Sequence, residues 1–470
     1  MNLQFAVLWT DGLIYALLVV IAIYIGYTYS KPHLLLPWRK VARNPAAMAS
    51  SMILLVFAIV GLLDSIHFRE ALPQQNNAQN SANKNVYGAE IISVFDRLVT
   101  PLRVQVEKTY SAPLAVNLFA MESVEQPDGR VARIFPRLKY AGSHLGDEVE
   151  RSRRDQWRLL FLGSFFAAGL WLLLCGILIF ALAAHARQKF APAARRLWRG
   201  ETALPWRTLL FTAAVVLWVS AVACQLAPKY HLFGTDKVGQ DVLYLALKSI
   251  RTGLVIGILT TLVMLPFALL FGIMAGYFKG WVDDVIQYIY TVLNSIPSVL
   301  LIAAAALMLQ VYMDKESFSS VVERADLRLL FLCLILGVTS WTGLCRLLRA
   351  ETLKLREFDY VQAAHALGAS HWKIMTRHIV PNVMHIVLIT ITLEFSSLVL
   401  AEAVLAYVGV GVDPSMHSWG NMINSARLEL AREPVVWWPL AAAFIFMFVL
   451  VLAANLFADA VRDAFDPRVQ

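Results

Sequence analysis

Seven stretches of this chain run for 19 residues or more without one Asp, Glu, Lys or Arg: 12–30, 44–63, 159–186, 208–228, 252–278, 285–313 and 434–458. Two shorter ones, 329–345 and 378–393, behave alike, and the second continues apolar past single acids at Glu394 and Glu402. A helix of roughly 20 apolar residues crosses the hydrocarbon of a bilayer. Backbone amides there have no water to bond, so each such segment must be helical. The count is nine spans, which predicts an all-α polytopic membrane protein. The first run has no basic leader and no small-residue cleavage site after it, so it is expected to remain as a span. Only 16% of the residues are charged, against about 25% in soluble domains. The four cysteines, Cys175, Cys224, Cys333 and Cys345, fall in or beside apolar runs, so they read as packing residues rather than a disulfide framework.

Charge placement orients the spans. A net charge of +8 could suggest nucleic acid, but its location excludes that partner. Segment 29–45 carries Lys31, Arg39, Lys40 and Arg43 with no acid, and 185–207 carries six basic residues against Glu201. Basic residues concentrate in short cytoplasmic loops, so both loops are expected inside, facing anionic membrane lipids. The N-terminus and segment 67–157 then lie outside and the C-terminus in the cytoplasm. Loops 227–250, 311–327 and 410–433 face out, while 279–284 and 346–377 face in.

Segment 67–157 is read as a small external α+β unit. Residues 73–85 are Asn/Gln-rich and polar, a lead-in rather than a core. From Val86 onward Ile91, Ile92, Phe95, Leu98 and Val99 recur at helical spacing, and 130–140 alternates like a strand broken at Pro136. It is either a docking surface for an external partner or a plain covering domain.

Enzymatic motifs are missing. Gly-Lys occurs nowhere, so no ATP-cradling loop can be built, and there is no H-E-x-x-H, C-x-x-C or G-x-S-x-G. The chain is expected to hold no metal or cofactor and to catalyse nothing alone. His371 and His378 read as a solvated helix face.

The most informative loop is 346–380. Its text predicts a helix over about 350–367, stopped at Leu367-Gly368 where Gly supplies a left-handed C-cap. Ser370 is placed to cap a second helix through His378, and Pro381 suits the first turn of the next span. Elsewhere Thr235 or Asp236 is placed to cap a short amphipathic helix bearing Val242, Leu243, Ala246 and Leu247. Asn294 and Pro297 interrupt an otherwise apolar helix and should bend it. Glu394 and Glu402, eight apart, project to nearly one face; an intramembrane carboxylate marks a pathway or a partner contact.

Gln362-Ala363-Ala364-x-x-x-Gly368, followed by Ile379-x-Pro381, resembles the EAA loop of permease subunits of binding-protein-dependent ABC importers. Gln362 stands where the namesake Glu often lies. Phe233-Gly234-Thr235-Asp236-x-x-Gly239-Gln240-Asp241-Val242 resembles the external signature of the dipeptide/oligopeptide/nickel permeases of the C type, with Gln240 replacing the usual Arg. Ile296-Pro297-Ser298, Glu402-Ala403, Gly409-x-Gly411-Val412, Ser418-Trp419-Gly420-Asn421-Met422 and the tail Asn455-Leu456 through Asp466-Pro467-Arg468 follow in the family's order.

The resemblance implies a type I importer core of six helices over 207–470, with 346–380 as cytoplasmic coupling loop. Two N-terminal helices (1–66), the external segment (67–157), and a third helix with its basic linker (158–206) are additional, and those spans are expected at the periphery. It also implies a second homologous permease, two cytoplasmic ATPases that hold ATP and Mg, and a periplasmic substrate-binding protein. Glu402 is expected at the interface with the partner permease. Peptides are the expected cargo, with nickel or another small solute as alternative. A membrane-anchored sensor is the rival from another class.

Overall fold

In the computed structural model, which describes residues 3–71, 87–125, 131–146, 149–185, 189–315, 318 and 320–465, every long apolar run is helical. Strand β1 (Leu3–Ala6) leads into α1 (Trp9–Tyr29), the basic α2 (Pro32–Arg43) and α3 (Pro45–Asp64). Strands β2 (His67–Ala71) and β3 (Tyr87–Ser93) precede two single-turn helices, α4 (Val94–Leu98) and α5 (Thr100–Val104), and a hairpin of β4 (Glu122–Glu125) and β5 (Val131–Ile134). Then come α6 (Ser152–His185), α7 (Phe190–Arg199), α8 (Trp206–Leu226), α9 (Val242–Phe278), α10 (Trp281–Ser295), α11 (Ser298–Met313) and α12 (Val321–Leu355). Last are α13 (Asp359–Ala366), α14 (His371–Ile374), α15 (Val380–Val408), α16 (Trp419–Glu429) and α17 (Trp438–Phe465).

Among the described residues, eight helices are long and apolar enough to cross a membrane, and α10 with α11 makes a ninth if the pair, bent by 87° at the break, is one span. That break is Ile296-Pro297, where proline removes a helical donor and the chain turns extended. The additional spans are α1, α3 and α6. Helix α6 lies against α8 at the rim, whereas α3 packs on α8, α9 and α17, and α1 on α12 and α9. The first three spans are therefore built into the bundle on different sides. Within it α9 and α12 pack most intimately. A Cβ on Gly276 would sit 2.7 Å from the Arg349 carbonyl, so only glycine admits this approach.

Four local expectations are corrected. Ile91 and Ile92 lie on β3, and the helix starts only at Val94, capped by Ser93; the sheet won because β2 offers His67 and Phe68 as partners to Ser93 and Ile92. Residues 73–85 and 466–468 lie outside the described residues. The strand at 130–140 is confined to β5, paired with β4. No short helix follows Thr235 or Asp236: Asp241 caps α9, accepting from Leu243 N at 2.8 Å and Tyr244 N at 3.1 Å, and the helix runs straight on into the span. Finally, α12 ends at Leu355, and Phe358 is extended before the separate eight-residue α13.

Candidate functional site

Helix α13 sits at one end of the bundle. Its C-terminus closes as two reciprocal bonds, Ala369 N to Ala364 O at 3.1 Å and Gly368 N to His365 O at 3.0 Å, with Gly368 at φ +76°. This is the paired ending that a left-handed glycine permits. A Cβ on Gly368 would meet nothing within 4 Å. Val361 anchors the helix inward while Gln362 and Ala363 are exposed; Ala364 is half-buried against the chain's own core. Leu367 is 87% exposed.

The end of α12 and the turn that leads into α13 are tied to their neighbours. Arg356 Nη1 donates to the Tyr277 carbonyl at 2.6 Å, and Lys279 Nζ reaches Glu357 at 3.0 Å. Arg349 grips Asp283 with two parallel bonds of 2.6 and 2.7 Å, the geometry that makes an Arg–carboxylate pair strong. A cavity of about 480 Å³ opens between α13 and the end of α9, bounded by Tyr277, Arg356, Gln362, His365 and His371. His371 is exposed, as expected, and its ring shares a hydrogen bond with Tyr277 at 2.8 Å.

Ser370 Oγ accepts from Lys373 N at 3.4 Å. The following turn, 375–379, widens into a π turn before Pro381 enters the first turn of α15. Proline cannot donate to the carbonyl four residues back, and a π turn is one way to absorb that defect. Asn382 Nδ2 donates to the neighbouring His378 carbonyl at 2.6 Å.

At the opposite end, the signature loop is buried under segment 67–157. Thr235 Oγ1 donates to Thr109 O at 2.8 Å and accepts from Ser111 N at 2.6 Å. Asp236 accepts from Val238 N and Gln240 N, closing the turn. Gly234 and Gly239 take positive φ, and their added Cβ atoms would lie 2.2 Å from Ser111 O and 1.9 Å from Glu107 O. Asp241 also holds His231 Nδ1 at 2.7 Å, and Glu107 faces the other ring nitrogen at 3.5 Å. Burial opposes a charged imidazole here, but the two carboxylates prevail and raise it to about 9.

The four remaining candidates do not converge. Asn294 Oδ1 accepts from Thr342 at 3.0 Å near the Pro297 break. Glu394 is half-buried and takes Ser397 Oγ at 3.0 Å. Glu402, expected to meet a partner permease, is 2% exposed and instead accepts from Gly420 N at 3.2 Å. The start of α16 offers it free amides, a better partner than another chain across lipid.

Sequence reasoning missed the cations at the start of α9. Lys248 Nζ bridges Asp64 at 2.8 Å and Asp96 at 2.6 Å. Arg251 Nη2 bridges Asp11 at 2.7 Å and Asp326 at 3.2 Å, and His67 completes the cluster on Asp11 at 2.7 Å. Burial alone would raise the Asp96 carboxyl, but the Lys248 ammonium holds it at about 2. Two cations three residues apart at the mouth of an apolar run were the available signal.

Comparison with known proteins agrees with this architecture. The family described as binding-protein-dependent transport system inner membrane component matches residues 268–470. The dipeptide transport system permease protein DppC of Lactococcus lactis is 32% identical over 238 residues, covering 51% of this chain and 64% of its own length. The glutathione transport system permease protein GsiD of Pectobacterium atrosepticum is also 32% identical, over 51% of this chain and 73% of its own. The oligopeptide transport system permease protein OppC of Bacillus subtilis is 29% identical, over 52% and 73%. With the nine-span arrangement, the α13 loop and the signature loop already in place, these matches decide the matter: the chain belongs to the family of binding-protein-dependent transport system inner membrane components.

Proposed function

We propose that this chain is one transmembrane subunit of an ABC importer that brings peptides across a bacterial inner membrane. It works with a second, homologous permease, two cytoplasmic ATPases and a periplasmic substrate-binding protein. ATP and Mg belong to the ATPases; this chain holds no cofactor. The observation that carries the reading is α13, a short helix with an exposed Gln362–Ala363–Leu367 face and a glycine stop set in open space. It suits a groove on another protein. The turn that leads into it is tied to the end of α9 through Arg356 and through Glu357 with Lys279, so a pull on α13 is passed to the spanning helices instead of being lost in a slack loop. ATPase closure then turns the core helices outward and hydrolysis resets them, a rigid-body alternation.

Peptide cargo is favoured because the relatives above carry dipeptide, glutathione and oligopeptide in their names. The basic loops set the orientation, with α13 and the C-terminus inside and β1 and the signature loop outside. The basic amphipathic helices α2 and α7 rest on anionic headgroups at the inner face. Gln362, Ala363, Ala364, Leu367, Gly368 and Pro381 form the coupling element, and Asn294 and Glu394 belong to the passage or its surroundings. Residues 207–470 form the transport core and 1–206 an added unit.

Gly368→Arg tests the coupling role. The side chain meets nothing within this chain, and the left-handed backbone costs about 1–2 kcal/mol. The variant should reach the membrane and lose transport together with its ATPase subunits. Normal peptide uptake by Gly368→Arg refutes the reading.

A further inference from the structure

Two adjoining cavities lie between the added unit and the core, at the end that carries the signature loop. The first, about 360 Å³, is bounded by Asp64, Glu90 and Asp96 of the added unit and by Lys248, Arg251 and Asp326 of the core. The second, about 310 Å³, is bounded by Tyr110 on one side and by Asp236, Lys237 and Glu429 on the other. Gln240, Met416 and His417 line both, so the two read as one elongated groove. Each lobe is within the ~300–1,000 Å³ typical of small-ligand sites.

The charge on its walls is lopsided. With histidines neutral, six carboxylates face four cations, since Arg103 is the fourth. Three of the four cations are occupied, Lys248 by Asp64 and Asp96, Arg251 by Asp11 and Asp326, Arg103 by Glu90, and the fourth, Lys237, lies exposed on the second lobe. The lining still carries two more carboxylates than cations, and the surplus field favours a positive guest. The walls are also incompletely satisfied. Arg251 is 6% exposed with its Nε unpartnered, and the His417 ring stands at the junction of the lobes. The His417 ring packs edge-on to Tyr244 and is placed to bond a main-chain amide of an extended guest.

We propose that this groove binds a short peptide of net positive charge, held jointly by the added unit and the core on the outer face. The choice of a peptide rests on the importer reading above; the charge preference rests on the groove itself. Gln240 stands at the junction, so a cation placed there acts on both lobes.

Binding is measured on the full chain in nanodiscs, by calorimetry, with Lys-Lys-Lys, Ala-Ala-Ala and Glu-Glu-Glu as probes. Lys-Lys-Lys should bind most tightly and weaken as salt rises, and Glu-Glu-Glu should not bind. Gln240→Arg should weaken Lys-Lys-Lys about tenfold, the effect of one repelling charge at partly screened range. Glu90→Lys, at the exposed rim, should act the same way and guards against misfolding at position 240. Equal affinity for the three peptides, no binding of Lys-Lys-Lys by folded chain, or unchanged affinity in both variants overturns the proposal. Uptake of Ala-Ala-Ala by the assembled importer is read separately. Uptake without Lys-Lys-Lys binding removes the groove and spares the importer reading; binding without any uptake does the reverse.

Discussion

Gly239 and Gly368 have almost the same backbone, with φ of +80° and +76°, yet they should respond very differently to alanine. At Gly368 the new methyl enters open space, so the cost is the left-handed backbone alone, about 1 kcal/mol relative to glycine. At Gly239 the methyl would lie 1.9 Å from the Glu107 carbonyl oxygen and 2.4 Å from its carbon. Backbone cannot swing aside as a side-chain tip can, so the segment around Glu107 must lift. Lifting it breaks the Glu107 N to Gly239 O bond of 2.9 Å, worth about 1 kcal/mol. Forcing a methyl into a packed site adds about 1–3 kcal/mol. It also pulls Glu107 from His231. The expected cost at Gly239 is therefore about 3–5 kcal/mol in all, concentrated on docking of the external segment. Trypsin added to spheroplasts reads this directly, because exposed Lys108 and Arg133 lie in that segment. Cleavage there should rise sharply in Gly239→Ala and stay at the parental rate in Gly368→Ala. Equal protection in both variants would show that the signature loop does not seat the external segment as described.

Lys248→Met should leave Asp64 and Asp96 buried and unpaired, a loss of about 3–5 kcal/mol, seen as little folded protein on detergent size-exclusion; full recovery at parental yield would contradict the bridge. His231 titrates near 9 in place against an ordinary 6.5. Its folded value is raised, so its contribution is complete below pH 6.5 and lost as pH rises toward 9, about 3 kcal/mol in total. Trypsin sensitivity of the external segment should climb over that window, and a flat profile would dismiss the charged triad. A cytoplasm-only reporter fused at Arg196 should be active and one at Asn117 silent, and reversed signals would overturn the proposed orientation.

What the sequence disclosed and what it withheld divide along a physical line. Span positions were legible because desolvation acts on each segment alone, and the Pro297 break was legible because proline acts on its own backbone. The Gly368 stop was legible for the same reason. Features set by a distant partner were not. Nothing local in Leu3–Ala6 says that it pairs with His67–Ala71. Nothing local in Ile91 and Ile92 says strand rather than helix. The end of α12 at Leu355 depends on Arg356 reaching the Tyr277 carbonyl, a contact across 79 positions of chain. Glu402 looked like a partner contact because its real neighbour, the start of α16, is invisible to a helical-face argument. Lys248 and Arg251 passed unnoticed because their meaning lies in four acids, three of them from the additional unit.

Those acids set limits on modularity. A chimera that grafts residues 1–206 onto another permease would carry Asp11, Asp64 and Asp96 into a bundle with no reason to offer cations opposite them. The reciprocal graft would strand Lys248 without a counter-ion and leave Arg251 with Asp326 alone. Either hybrid meets a buried, unmatched charge at its seam. Recombination between such genes therefore succeeds only where the crossover keeps the start of α9 with the leading segment, and a boundary placed by alignment near residue 207 would fall on the wrong side of it.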